Sequence, residues 1–310
     1  MLTFHTCDVF TDRAFAGNPL AIVLGADDLT PGQMQTLARE FNLSETIFVQ
    51  RPANPAHTAR VRIFFPTAEI PFAGHPTIGC AIHLATAEAG PGDFETRIVL
   101  EEEAGLVPVR VWRQGAETRA EFVAPVIPHA VTDAPDLAAA LDPGRLAASL
   151  GLTVGEIGVA SHSPGLWQGG PRFLYAPVAS LAALARARPI QPIWSQQMQA
   201  AGVDSIYLYT PGPDCDYRAR MFSPTAGIPE DPATGSASAI LVAQLQASGT
   251  LAEGETRLAL RQGVEMGRPS EIGLTVVLRS GAIDQVRVAG SAVPVASGRI
   301  RVPGKLEHAT

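Results

Sequence analysis

An α/β chain made of two similar halves, each organised around a buried helix, is the fold the sequence predicts. Three observations predict it. The first is an internal repeat: Arg62–Pro71 reads RIFFPTAEIP and Arg220–Pro229 reads RMFSPTAGIP, seven of ten positions being identical at an offset of 220 − 62 = 158. The second is a pair of long stretches without Asp, Glu, Lys or Arg, residues 70–87 and 232–252, one associated with each copy. A helix lacking a charged face has no side to offer water, so both stretches belong inside a core. The third is size: 310 residues, 46% hydrophobic and 17% charged, suffice for two domains and exclude a disordered or fibrous chain.

The first half reads as strands and turns with short helices. Phe4–Phe10 and Leu20–Leu24 are strand-like around the turn-rich Thr11–Pro19. Thr30 before Pro31 opens a helix through Glu40, with Thr as N-cap and Pro in the first turn. Ser44–Gln50 and Ala59–Phe65 are rich in β-branched and aromatic residues, as strands are. The first charge-free helix is expected from Pro76. Val109–Arg113 and Arg119–Val123 form a hairpin around Gln114-Gly115-Ala116, and the proline-rich Ala124–Asp136 is the linker. Helical segments follow near 137–150 and 179–187, and strands near 204–210, 217–222, 273–279 and 285–289. The second charge-free helix is expected from Pro232. Domains are thus expected at residues 1–125 and 126–297, with residues 298–310 returning to the first.

Composition narrows the function. A net charge of 23 − 30 = −7 without a Lys/Arg run makes nucleic acid an improbable partner. Cys7, Cys80 and Cys215 are scattered and form no CxxC, which argues against a disulfide framework or a zinc knuckle and fits a reducing cytoplasm. The N-terminus has no basic start followed by an apolar stretch, so no signal peptide is expected. The charge-free stretches carry Pro, Gly, Ser, Thr, Gln or His, so no membrane partner is expected either.

Candidate chemistry gathers where the buried helices begin. In the repeat's register, after a two-residue slip, HPTIGCA (75–81) lies over DPATGSA (231–237), so His75 and Asp231 are equivalent. The first turn of a helix offers unpaired N–H groups and a positive dipole end to a carboxylate. Gly74, Thr77, Thr234, Gly235 and Ser236 keep those turns small. Two such ends facing a cleft where the halves meet would grip a small anion. Asp before Pro also reads as plain capping. His75, with an ordinary pKa near 6.5, suits proton transfer. His83 reads as a core histidine, and His5, His57, His129, His162 and His308 have no supporting neighbours. Glu45 opens an apolar strand, where burial would raise a carboxyl's pKa toward the range useful for taking and giving a proton; a solvated strand-start glutamate is the alternative. No histidine pair has metal-ligand spacing, Ser44 has no GxSxG elbow, and neither GxGxxG nor a Walker motif is present, so neither a metal nor a nucleotide cofactor is expected.

FAGNPLAIV (15–23), FNLSETIFV (41–49), PFAGHPTIG (71–79), GIPEDPATGSAS (227–238) and QGVEMGRPS (262–270) closely resemble the PhzF-like family. That resemblance, which runs over nearly the whole chain, implies a diaminopimelate epimerase-like fold: two domains, each a curled sheet around a central helix, with the site between them. It implies Glu45 as general acid/base with His75 and Asp231 as partners, and Ser44, Gly74, Gly235 and Ser236 as ligand-binding groups. It further implies a homodimer and a cofactor-independent isomerase of small carboxylates, the namesake substrate in phenazine biosynthesis being trans-2,3-dihydro-3-hydroxyanthranilate. The related epimerases use two cysteines at the helix-start loops. Here those places hold Ala73, Glu230 and Pro232, so a two-thiol mechanism is disfavoured. An amino- or hydroxy-acid epimerase working through Glu45 and Asp231, or a non-catalytic small-carboxylate binder, are the alternatives.

Overall fold

The computed structural model describes residues 1–304. Its chain forms two units: Met1–Val123 together with the stretch from Ala289 onward, and Ala124–Val288. The return to the first unit thus begins at Ala289 rather than at 298, because one long strand, Ala282–Ile300, runs through both positions. Residues 305–310 of the expected returning segment, His308 among them, lie outside the described residues.

In the first unit β1 (Leu2–Val9) and β2 (Asn18–Leu24) run antiparallel, and α1 (Pro31–Phe41) crosses over to β3 (Glu45–Gln50), parallel to β2. Thr30 and Gln33 close a reciprocal capping box at the start of α1. β4 (Ala59–Phe64) returns antiparallel to β3, and the short β5 (Glu69–Ile70) folds back on it. α2 (Gly74–Glu88) then crosses over to β6 (Phe94–Glu102), parallel to β4, and β7 (Gly105–Gln114) and β8 (Glu117–Val123) follow as antiparallel hairpins.

The second unit comprises β9 (His129–Ala130), α3 (Leu137–Leu141), α4 (Pro143–Leu150), β10 (Gly165–Gln168), β11 (Arg172–Pro177), α5 (Leu181–Arg186), α6 (Ile193–Ala201), β12 (Ile206–Pro211), β13 (Tyr217–Ser223), β14 (Ile228–Asp231), α7 (Gly235–Ala247), β15 (Gly254–Gln262), β16 (Ser270–Arg279) and the first residues of β17 (Ala282–Ile300), which from Ala289 belongs to the first unit. Its pairings repeat those of the first. β10 and β11 are antiparallel, β11 is parallel to β12, β12 antiparallel to β13, β13 parallel to β15, and β15 antiparallel to β16. Each copy of the sequence repeat therefore spans the same piece, a strand, its turn and a short return strand, before the buried helix.

The last part of β17 pairs with β1, from Val9↔Ala292 to Leu2↔Ile300, and β17 also pairs with β8. These pairs close β1, β2, β3, β4, β6, β7, β8 and β17 into an eight-stranded ring. α2 packs against six of those strands, and every residue from Gly74 to Ile82 is buried. It lies very close to β1 and β2: a Cβ on Gly79 would stand 2.7 Å from side-chain carbons of both Leu20 and Val9. α7 is buried likewise, from Ala237 to Leu245, and packs on β9, β10, β11 and β16. Both charge-free stretches are thus core helices, for the reason the composition indicates: neither has a polar side. Among the described residues no helix is long and apolar enough to cross a membrane.

Two helix boundaries differ from expectation. α2 starts at Gly74, which places His75 and Pro76 inside the first turn. α7 starts at Gly235 with Thr234 at the N-cap, so Asp231 ends β14 and does not cap the helix directly.

Candidate active site

In the first unit, three local devices bring side chains together. Asn18 is delivered by the turn after β1. There Asp8 Oδ2 accepts the Phe15 N–H at 2.6 Å, and Gly17 adopts φ +66°. A Cβ on Gly17 would lie 2.3 Å from the Val9 carbonyl oxygen, so no other residue fits. Glu45 is the first residue of β3 and is only 6% exposed, which excludes the solvated strand-start alternative. His75 sits in the first turn of α2 and is 3% exposed.

These three meet. His75 Nδ1 lies 3.3 Å from Glu45 Oε2 and 3.3 Å from the Asn18 amide nitrogen. Burial strips the imidazole of water and pushes its pKa down to about 3, so the ring is neutral at pH 7. Because Nδ1 accepts from Asn18, the ring's single proton belongs on Nε2. Glu45 Oε2 faces the same nitrogen, and a proton on the carboxyl removes the repulsion between its charge and the Nδ1 lone pair. That is the state a general base reaches once it has taken a proton. His75 Nε2 is buried and finds no hydrogen-bond partner among the described residues, leaving an N–H donor for an acceptor supplied from elsewhere.

Thr77, expected among the ligand-binding groups, is occupied within the protein. Its hydroxyl lies 2.8 Å from the Ala73 carbonyl and 2.7 Å from Glu102 Oε1. Glu102 ends β6 and is 8% exposed; desolvation raises its pKa to about 8. His83 is half-buried rather than in the core. Its ring centroid is 4.4 Å from that of His5, beside a cavity of about 540 Å³ that neither Glu45 nor His75 lines.

In the second unit, Asp231 is 4% exposed and Thr234 8%. Asp231 Oδ2 accepts the Thr234 hydroxyl at 2.6 Å. Gln262 at the end of β15 holds the turn: its amide nitrogen donates to the Asp231 carbonyl (2.8 Å) and to Thr234 Oγ1 (2.9 Å), and its oxygen accepts the Thr234 N–H (3.2 Å). Tyr175 donates to the Ala237 carbonyl, and the Tyr207 hydroxyl lies 3.2 Å from Ser238 Oγ, which itself donates to the Thr234 carbonyl. Burial first, and the nearby Asp231 second, push the Tyr207 pKa upward. This lattice fixes the first turn of α7, at Gly235 and Ser236.

The sequence singled out Glu45, His75, Asp231 and Thr234 and the structure sets Glu45 beside His75 and Asp231 beside Thr234; Asn18, Glu102 and Gln262 were missed. Asn18 and Gln262 lie in stretches already singled out, FAGNPLAIV and QGVEMGRPS; Glu102, in a run of three glutamates, carries no such signal. The thiols offer no nucleophilic pair: burial pushes Cys7 up to about 12 and raises Cys80 and Cys215 as well.

Residues 7–298 match the family model described as phenazine biosynthesis-like protein. An uncharacterized isomerase of Mesorhizobium japonicum is 40% identical over 301 residues, covering 94% of this chain and 96% of its own. Trans-2,3-dihydro-3-hydroxyanthranilate isomerase of Pseudomonas chlororaphis is 33% identical over 293 residues, covering 94% and 97%. The crystal structure of a PhzF-family protein from Bacillus anthracis superposes with a TM-score of 0.82 at 27% identity, over 97% of this chain and 99% of the other. A probable proline racemase from Agrobacterium radiobacter, at 13% identity, covers 99% of this chain and 95% of its own with a TM-score of 0.64, which extends the fold to the racemase–epimerase group.

Proposed function

The chain belongs to the phenazine biosynthesis-like (PhzC-PhzF) family, and on that basis we propose that it is a cofactor-independent isomerase that moves a proton on a small carboxylate through Glu45. The observation that carries this reading is the buried contact between Glu45 Oε2 and His75 Nδ1 at 3.3 Å. A carboxyl group so placed can take a proton from carbon, and beside the lone pair of a neutral imidazole its protonated form is the less repelled one. Taking a proton from one ring carbon and returning one to another changes neither composition nor oxidation state. The chemistry needs a positioned acid–base group and no electron carrier. His75 Nε2–H offers a hydrogen bond to an oxygen that gains charge as the proton leaves.

In the second unit Asp231, Thr234, Gly235 and Ser236 are the candidate ligand-binding groups, the amides of Gly235 and Ser236 suiting a carboxylate. The relative named above makes trans-2,3-dihydro-3-hydroxyanthranilate the first substrate to try. Incubation in heavy water tests both reaction and substrate. Deuterium on a ring carbon supports the isomerase reading, exchange at the α-carbon of an amino or hydroxy acid replaces it with an epimerase, and no incorporation into any acid that binds leaves a binder. A homodimer is part of the same proposal; light scattering that returned only the 32.6 kDa chain mass would remove it.

A further inference from the structure

Glu102 and Gln262 are counterparts. In the first unit β4 and β6 pair as Ala59↔Leu100 and Arg60↔Glu101; in the second, β13 and β15 pair as Tyr217↔Leu260, Arg218↔Arg261 and Ala219↔Gln262. Since 217 − 59 and 218 − 60 both equal the repeat offset of 158, the residue that follows Glu101 stands where Gln262 stands. Both end the strand after the parallel crossover, and both reach a threonine at the start of the buried helix.

The hydrogen bonds match as well. Gln262 donates its amide N–H to Thr234 Oγ1, and Thr234 passes its own proton to Asp231 Oδ2. Thr77 Oγ1 lies within hydrogen-bond distance of two oxygens, Ala73 O at 2.8 Å and Glu102 Oε1 at 2.7 Å. A hydroxyl carries one proton, and a backbone carbonyl can only accept. Thr77 therefore donates to Ala73, and the proton between Thr77 and Glu102 has to come from Glu102. The relay is the same in both halves, with a carboxylic acid where the second half uses an amide.

We propose that Glu102 is a positioning residue which, as a neutral acid, clamps the first turn of α2 beneath His75, and that loss of its proton releases the clamp and limits function at alkaline pH. Ionisation would turn the Glu102–Thr77 donor into a second acceptor, forcing Thr77 to abandon Ala73, and would leave a buried charge. Among the described residues no Lys or Arg lies within ion-pair reach of Glu102. On β4, Arg60 pairs with Glu103 and Arg62 with Glu69, while on β6 Glu101 is engaged by His57. The titratable group beside it on a packed element is a thiol, Cys80 on α2, which an ionised Glu102 would help keep protonated; Cys7 on β1 lies next to Cys80. The burial that raises the Glu102 pKa to about 8 agrees with the geometry.

The proposal reaches the activity inferred above only through pH dependence, so its first test needs no substrate. Infrared difference spectra of wild type and Glu102→Gln at pH 7 should contain the carbonyl band of a buried protonated carboxyl, present in wild type, absent in the variant and lost from wild type by about pH 9. No such band, or one untouched by the substitution, overturns the proposal. Thermal melting is the second test. The folded-state pKa lies above the unfolded one, so the stabilisation is complete below about pH 4.5 and is lost as pH rises through about 8. Relative to Glu102→Gln, the folding equilibrium of wild type should weaken by up to about tenfold per pH unit across that window. Coincident pH profiles sink the clamp, as does a Glu102→Gln protein no more stable than Glu102→Ala at neutral pH. If dihydrohydroxyanthranilate is turned over, the alkaline limb of kcat/KM should move upward in Glu102→Gln. An unmoved limb rejects the functional half of the proposal alone.

Discussion

Glu45 Oε2 and His75 Nδ1 lie 3.3 Å apart although their residues are thirty positions apart in sequence, one opening strand β3 and the other in the first turn of α2. Neither side chain is more than 8% exposed, so water cannot replace either partner. This pair separates the chemical step from binding. Glu45→Gln keeps the size of the side chain and removes the base, so turnover of dihydrohydroxyanthranilate should fall by roughly 10²–10⁴-fold. Calorimetry with the unreactive analogue 3-hydroxyanthranilate should show a much smaller change in affinity. Near-normal turnover in the variant would remove Glu45 from the mechanism.

His75 sets an acid-side dependence of stability. Its folded-state pKa, about 3, lies below the unfolded value near 6.5, so the unfolded chain binds the extra proton first. The stabilisation is present in full above about pH 6.5 and is lost as pH falls through about 3, at a slope approaching 1.4 kcal/mol per pH unit. Urea unfolding of His75→Asn and wild type at pH 7 and pH 5 should therefore show a smaller acid loss in the variant. Parallel losses would mean that the ring takes up a proton readily in the folded state.

Asn18 fixes which nitrogen of His75 carries the proton, and the Gly17 turn fixes Asn18. Gly17→Ala meets both the left-handed backbone and the Val9 carbonyl, and should destabilise by at least the 1–3 kcal/mol typical of overpacking. Asn18→Ala leaves the backbone intact and removes the donor to Nδ1. Its melting temperature should change less than that of Gly17→Ala, while the rate should fall because the imidazole is free to adopt the other tautomer. Nitrogen NMR shifts of the His75 ring report that tautomer directly, and an unchanged pattern in Asn18→Ala would refute the assignment.

Much of the fold could be read in the sequence because its strongest signals are local. Thr30-Pro31-Gly32-Gln33 spells out the capping box that α1 uses, and the lack of charge in α2 and α7 marks both as core helices. What stayed hidden depends on distant partners. β6 (FETRIVLEE) and β15 (GETRLALRQ) carry charged side chains along their exposed faces, which blurs the apolar signature of a strand. Gly290, Ser291 and Pro294 break up the pattern of β17, and Pro294 is tolerated because the pairing with β1 shifts register there, between Thr6 and Cys7. The site follows the same division. Glu45 and His75 stand in distinctive motifs, whereas Glu102 matters only because a parallel crossover carries the end of β6 to Thr77, a contact between residues 25 positions apart.

Gln262 gives the second half a test of its own. Its amide makes three hydrogen bonds, to the Asp231 carbonyl, the Thr234 hydroxyl and the Thr234 N–H, and the side chain is fully buried. Gln262→Leu keeps most of the volume but leaves buried donors and acceptors unpaired, each costing about 1–3 kcal/mol. Gln262→Glu is the sharper variant. As a neutral acid it can still donate one hydrogen bond toward Thr234 or Asp231; as a carboxylate it can donate none and adds a charge close to Asp231. Its stability should therefore approach that of wild type at low pH and fall behind as pH rises, the behaviour inferred for Glu102 transferred to the other half. Chemical denaturation at pH 5 and pH 8.5 reads the difference. A Gln262→Glu deficit independent of pH would show that the Asp231–Thr234 turn needs the amide for its shape and not for its hydrogen-bond donors.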